Sequence, residues 1–131
     1  MKTMLAELLR DILNEDNVLI SVSTGGAVIE MRDNKNLLCK VSDKWITIGD
    51  NDGPSHMHIN KSEVKKVMFV KEVKENGTSY SIRLTNVRDE ILVAAFFTKM
   101  YDENAKPVKE RIERYENIFR KYGSREMIPL P

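Results

Sequence analysis

The chain holds only two histidines, His56 and His58, within the stretch Ser55-His56-Met57-His58-Ile59. In an extended strand, residues two apart project from the same face, so this spacing predicts two imidazoles standing side by side. Neutral imidazole is a common donor to zinc, copper and iron. The pair therefore reads as two metal ligands, or as one ligand and its supporting partner. The plain alternative is the wet face of a half-buried strand, with Met57 and Ile59 turned to the core. Glu63 follows His58 after four intervening residues. His56, His58 and Glu63 would then make a two-histidine, one-carboxylate set for a divalent metal.

Other chemistry fails on inventory. Cys39 is the single cysteine, which excludes a disulfide within one chain and any thiolate zinc site built by one chain. Set in Leu37-Leu38-Cys39-Lys40, it reads as a small apolar residue more readily than as a nucleophile. No Gly-x-Gly-x-x-Gly, Walker-type loop or Gly-x-Ser-x-Gly elbow is present. Trp45 and Phe69 are large rings on expected strands and candidate lining for a flat apolar ligand, with plain core as the alternative. Lys65, Lys66 and Lys71 are candidate partners for anionic groups on such a ligand.

These residues need elements to hold them. Leu5, Leu8, Leu9, Ile12 and Leu13 fall on one helical stripe, with Thr3 as a capping candidate. After Asn17 the period becomes that of strands. Stretches 18–24, 27–32, 37–41 and 45–48 form a first meander, because short connections join antiparallel neighbours. The turn-rich segment 49–55 leads into the histidine strand, and Ser62 is a capping candidate for a short turn after it. A second meander follows over 67–73, 79–84 and 91–97, with Asn76-Gly77 as a turn. A closing helix begins at Pro107. It presents Val108, Ile112, Tyr115, Phe119 and Tyr122 on one face and offers Glu110–Arg114 and Glu116–Arg120 as i, i+4 pairs. Gly123 is its stop signal. The expected architecture is α+β: an N-terminal helix, a large antiparallel sheet of about eight strands in two meanders, and a C-terminal helix. One domain over 1–123 and a tail over 124–131 complete the expectation.

The whole chain sets the class. Its 131 residues suit one domain, and a hydrophobic share of 41% with a charged share of 31% is globular. A formal net charge of +1 argues against a general nucleic-acid binder, whose phosphate contacts need a basic excess. No apolar run approaches a membrane span. Glu7, Asp11 and Glu15 in the N-terminal segment are what a signal peptide avoids. The expected compartment is a reducing cytoplasm, with no membrane partner.

The element order and local patterns resemble the single-domain haem-utilisation proteins of the ChuX/HutX type, each similar to one lobe of the duplicated HemS/ChuS proteins. The likeness rests on the His-x-His strand at Ser55 to Ile59 and the strand Val67-Met68-Phe69-Val70-Lys71. It continues through the turn Asn76-Gly77, the strand Ser79-Tyr80-Ser81-Ile82-Arg83-Leu84, the polar turn from Asn86 to Asp89, the apolar strand Ile91 to Phe97, and a closing helix carrying Tyr115. The family's glycine-rich sequence after its last strand is replaced here by Thr98-Lys99-Met100-Tyr101-Asp102. The resemblance implies a split β-sheet scaffold flanked by helices, and a homodimer that imitates the two-lobed relatives. It also implies haem, or a similar planar ligand, to be bound, trafficked or degraded. His56 or His58 would then be the iron ligand, with Trp45 and Phe69 at the pocket. Two other readings stand beside it: an enzyme with a mononuclear metal at His56, His58 and Glu63, and a non-catalytic oligomeric interaction module.

Overall fold

A leucine stripe opens the chain as expected. Leu5, Leu8, Leu9, Ile12 and Leu13 on α1 (Lys2–Leu13) are all buried. The computed structural model describes residues 2–131, with side chains from Met4 onward; Thr3, the expected cap, already lies within the helix, which includes Lys2. Asn17, in the left-handed region at φ 58°, turns the chain from the helix into the first strand.

All eight expected strands form: β1 (Val18–Ser23), β2 (Val28–Met31), β3 (Cys39–Val41), β4 (Trp45–Gly49), β5 (His56–Asn60), β6 (Lys66–Lys74), β7 (Gly77–Thr85) and β8 (Ile91–Phe97). The class is α+β. Together with a ninth strand, β9 (Met127–Pro129), these strands divide between a six-stranded sheet, ordered β2-β1-β8-β7-β6-β9, and a three-stranded sheet, ordered β3-β4-β5. The strands expected from two meanders are therefore split between two sheets, as the family resemblance implied. The break lies between β2 and β3, where Asp33 (φ 56°) and Asn36 (φ 80°) take left-handed conformations that end an extended run. Asn34 is buried at this corner, and its amide donates to the carbonyls of Val18 and Met31, both at 2.9 Å. Arg10 of α1 donates to the carbonyl of Cys39 at 2.9 Å and holds β3 beside the helix. A 3-10 turn (Lys61–Glu63) returns the chain to β6. Its cap is Asn60, whose side chain accepts from the Ser62 amide at 3.1 Å, rather than the expected Ser62.

The closing helix is α2 (Lys109–Lys121). Pro107 lies before its N-cap, Val108, and bridges Tyr101 instead of starting the first turn. Gly123 closes it at φ +100°. Tyr115 is fully buried, ringed edge-on by Phe69, Tyr80 and Phe97 at 5.2–6.0 Å, and its hydroxyl donates to the Ser81 carbonyl at 2.9 Å. The expected pairs along this helix give way to other partners. Arg114 clasps the buried Glu15 through two bonds of 2.8 and 3.0 Å, and Glu116 takes Lys71 at 2.7 Å. Arg120 pairs with Glu113. Glu7, Asp11 and Glu15 run four apart and face α2: Lys121 bridges Glu7 at 3.2 Å and Asp11 at 2.8 Å, and the Tyr122 hydroxyl donates to Asp11 at 2.6 Å.

Residues 124–131, expected as a tail, hold a ninth strand, β9 (Met127–Pro129), paired to β6 at Lys66 to Met68. Ile128 and Leu130 are buried there. Pro129 is tolerated because β9 is an edge strand.

One core joins these parts. Both helices and the inner side of the small sheet (Ile46, Ile48, Ile59) pack on one face of the large sheet, at Ile20, Val67, Phe69, Ile82, Val93 and Ala95. Strand alternation puts Leu19, Ser81, Ala94 and Phe96 on the opposite face. There Arg83 lies over the Phe96 ring at 5.9 Å and donates to Ser81 at 3.1 Å.

Candidate functional site

The small sheet is a β4–β5 hairpin with β3 along its side. Its inner residues anchor it, since Ile46, Ile48 and Ile59 are buried. Alternation then leaves Trp45, Thr47, His56 and His58 on the outer side. The register sets Thr47 opposite His58, Gly49 opposite His56 and Trp45 opposite Asn60. Gly49 has φ +91°, and a Cβ there would stand 2.5 Å from the Ser55 carbonyl oxygen. Only glycine allows the loop to close this tightly beside His56.

The two imidazoles are neighbours on one face, as the spacing predicted. Their ring centroids are 5.2 Å apart with planes at 73°. They are not equivalent. The Nδ1 atom of His58 lies 2.8 Å from the Thr47 hydroxyl, and the ring meets Trp45 edge-on at 6.1 Å. Lys44 sits over the other part of this arrangement, with Nζ 5.3 Å from the Trp45 ring centroid.

His58 and Trp45 border a groove of about 300 Å³ that runs between the two sheets. Met57, Ile59, Asn60 and Glu63 continue its wall from the β5 side, and Val22, Leu92 and Val93 supply it from the large sheet. The wall is mostly apolar with one imidazole, one amide and one carboxylate at its rim. That combination suits a largely apolar ligand carrying one group that accepts an imidazole donor. His56 is outside the lining of this groove.

Other expected participants stand elsewhere. Phe69 is buried in the core against Tyr115 at 6.0 Å and Phe119 at 5.4 Å, and it borders a separate cavity of about 250 Å³ beside α2. It belongs to the core face of β6 and is not in the histidine groove. Glu63 reaches the groove rim but does not join the two imidazoles as a third ligand. Among the described residues no group of three or more His, Cys, Asp or Glu side chains is disposed to hold a metal ion. The reason is local: β5 ends at Asn60, and the 3-10 turn redirects the backbone before Glu63. Lys66 and Lys71 are engaged by Asp89 and Glu116. Cys39 is half-buried, and burial pushes its thiol above the usual range while the nearby Arg10 charge partly opposes that. A raised thiol pKa lowers the thiolate fraction and fits the reading of Cys39 as a packing residue.

Thr47 is the site residue that sequence reasoning missed. Its signal was present, because Trp45-Ile46-Thr47-Ile48 alternates as His56-Met57-His58-Ile59 does. Pairing the two segments requires the register, which the connection 50–55 does not reveal.

A protein-family model matches residues 6–123. Comparison with curated protein sequences gives no match. Among solved structures, ChuX is similar with a TM-score of 0.77 at 11% identity, over 95% of this chain and 75% of that one. A second structure describes ChuX as a haem-binding protein. A protein from Agrobacterium tumefaciens is similar with a TM-score of 0.70 at 21% identity, over 92% of this chain and 66% of that one. Holo-PhuS, a haem-binding protein from Pseudomonas aeruginosa, is similar with a TM-score of 0.67 at 15% identity, over 88% of this chain and 32% of that one. The chain thus spans about three-quarters of ChuX and one-third of PhuS. At these identities the structural likeness is one of fold.

Proposed function

The chain belongs to the ChuX/HemS-like haem-utilisation superfamily, and from that premise we propose that it binds haem in the groove beside β5, with His58 as the iron ligand. Haem iron would supply a Lewis-acid centre for which His58 is a suitable nitrogen donor. The observation that carries the reading is the setting of His58: its Nδ1 is engaged by Thr47 while its ring borders an apolar groove next to Trp45. The residues fit the group. An imidazole is a suitable donor, the part-exposed Trp45 ring offers a flat apolar surface, and Val22 and Leu92 line the opposite wall. His56 supports the His58 ring edge-on and is not the ligand.

A volume of about 300 Å³ is at the small end for ligand sites, which run from about 300 to 1,000 Å³. A groove of this size would cover only part of a porphyrin. Partial exposure suits a carrier that receives and releases its ligand more than a store. The homodimer is part of this proposal, with a second copy on the face of the large sheet that carries the part-exposed Phe96. No helix among the described residues is long and apolar enough to cross a membrane. A reducing cytoplasm, consistent with a lone half-buried thiol, is the proposed setting. The mononuclear-metal reading has less support, because His56, His58 and Glu63 are not gathered as a ligand set.

Titration with hemin, followed by the Soret band, tests the reading. Wild type and His56→Ala are expected to give the same ligated spectrum, and His58→Ala to lose it with weaker binding. A His58→Ala variant that matches wild type in spectrum and affinity overturns the proposal.

A further inference from the structure

We infer that Thr47 is the positioning residue of this site: its hydroxyl accepts a hydrogen bond from Nδ1–H of His58, fixing the tautomer that leaves the Nε2 lone pair for an electron-pair acceptor in the groove. The inference deepens the haem reading and rests on it for the identity of that acceptor. The tautomer itself is a property of the ligand-free protein.

The contact is built by the backbone. Thr47 and His58 are direct partners in the β4–β5 register, on two strands whose inner residues Ile46, Ile48 and Ile59 are buried. The branched Thr47 side chain has few rotamers, so its hydroxyl is held where the ring meets it at 2.8 Å. A hydroxyl can donate or accept, and the two cases differ in consequence. If it donated to Nδ1, the ring proton would sit on Nε2 and that atom could bind no metal. If it accepts, Nε2 is a free base. Thr47 is only half-buried, so water can accept its own hydroxyl proton and leave the oxygen to accept from the ring. His56, in edge contact at 5.2 Å, and Trp45, at 6.1 Å, limit rotation of the ring from two sides. Neither can replace the hydrogen bond: no bond from His56 to the His58 ring is formed, and an indole can only donate. A ligating histidine whose second nitrogen donates to a fixed acceptor is the usual arrangement, and losing that acceptor typically costs about 10–100-fold in metal affinity.

The test combines ligand-free and ligand-bound measurements. Nitrogen-15 NMR of the ligand-free protein is expected to show His58 in the Nδ1–H form. Thr47→Val, which keeps the shape but removes the oxygen, is expected to shift the ring toward the Nε2–H form and weaken hemin binding by about 10–100-fold. Thr47→Ser is expected to restore most of both. An Nε2–H tautomer in wild type overturns the inference, as does a Thr47→Val variant with unchanged tautomer and unchanged hemin affinity. The haem reading fails separately: if His58→Ala binds hemin as wild type does, haem is not the acceptor, while the tautomer result in ligand-free protein still decides the role of Thr47.

Discussion

Two tyrosines, Tyr115 on α2 and Tyr122 at its C-cap, show how single groups set the protein's tolerance of alkali. Burial pushes the Tyr115 hydroxyl well above the usual phenol range. Burial also raises that of Tyr122, and its bond to Asp11 raises it further. In the unfolded chain both ionise near pH 10. Above that pH the unfolded state releases protons that the folded state keeps, so stability is full below about pH 10 and falls as pH rises past it. Thermal melts from pH 8 to 11 are expected to show this decline, and Tyr115→Phe should make it shallower. Tyr115→Phe should also cost about 1–2 kcal/mol at neutral pH by removing the bond to the Ser81 carbonyl. A melting temperature that holds to pH 11 in wild type contradicts the account. At this scale the sequence was partly legible. The face shared by His56 and His58 followed from period-two alternation. The separation of Phe69 from them did not, because alternation assigns a residue to a face of its own strand without saying which sheet that strand joins.

Elements are fastened by contacts that cross long stretches of chain. Arg114 and Glu15 are the clearest case, because Glu15 is only 8% exposed and would be left buried without its partner. Arg114→Ala is expected to cost about 1–3 kcal/mol in denaturant melts. Lys35→Ala, which breaks an exposed pair with Asp16, should cost well under about 1 kcal/mol. Equal losses from both variants would sink this distinction. The helix pairs read from the sequence give way to other partners: Arg114 takes Glu15 and Glu116 takes Lys71, which a local rule cannot see, while Arg120 takes Glu113 on the same helix. The same blindness hid β9. A run of Met127-Ile128-Pro129-Leu130 after a helix stop reads as a tail, and only the free edge of β6 makes it a strand. Ending the chain at Arg125 is expected to lower stability by about 3–5 kcal/mol through loss of the Ile128 and Leu130 burial. It should also promote self-association through the uncovered edge, visible in light scattering. A truncated protein with the wild-type melting temperature would contradict this role.

At the scale of the molecule, the split into two sheets is what creates a site. A single continuous sheet would have left no seam beside the histidine strand, whereas the corner at Asp33 to Asn36 and the turn at Lys61 to Glu63 swing β3 to β5 across the large sheet. The groove lies along that seam. Element order and class were legible because each strand and helix carries its own period. The seam was implied by the family resemblance but not by the periods, because its position depends on where left-handed asparagine and aspartate residues redirect the chain. The far face of the large sheet is the surface proposed for a second copy. Phe96→Asp should therefore yield a monomer in light scattering where wild type gives twice the chain mass, and wild type at the mass of one chain removes the dimer. The central claim, haem held on His58, is tested most directly by a structure of the hemin-loaded protein. The account predicts iron bonded to Nε2 of His58 with the porphyrin against Trp45 in the groove between the sheets. Iron bonded to any other residue, or a porphyrin seated away from this groove, would contradict it.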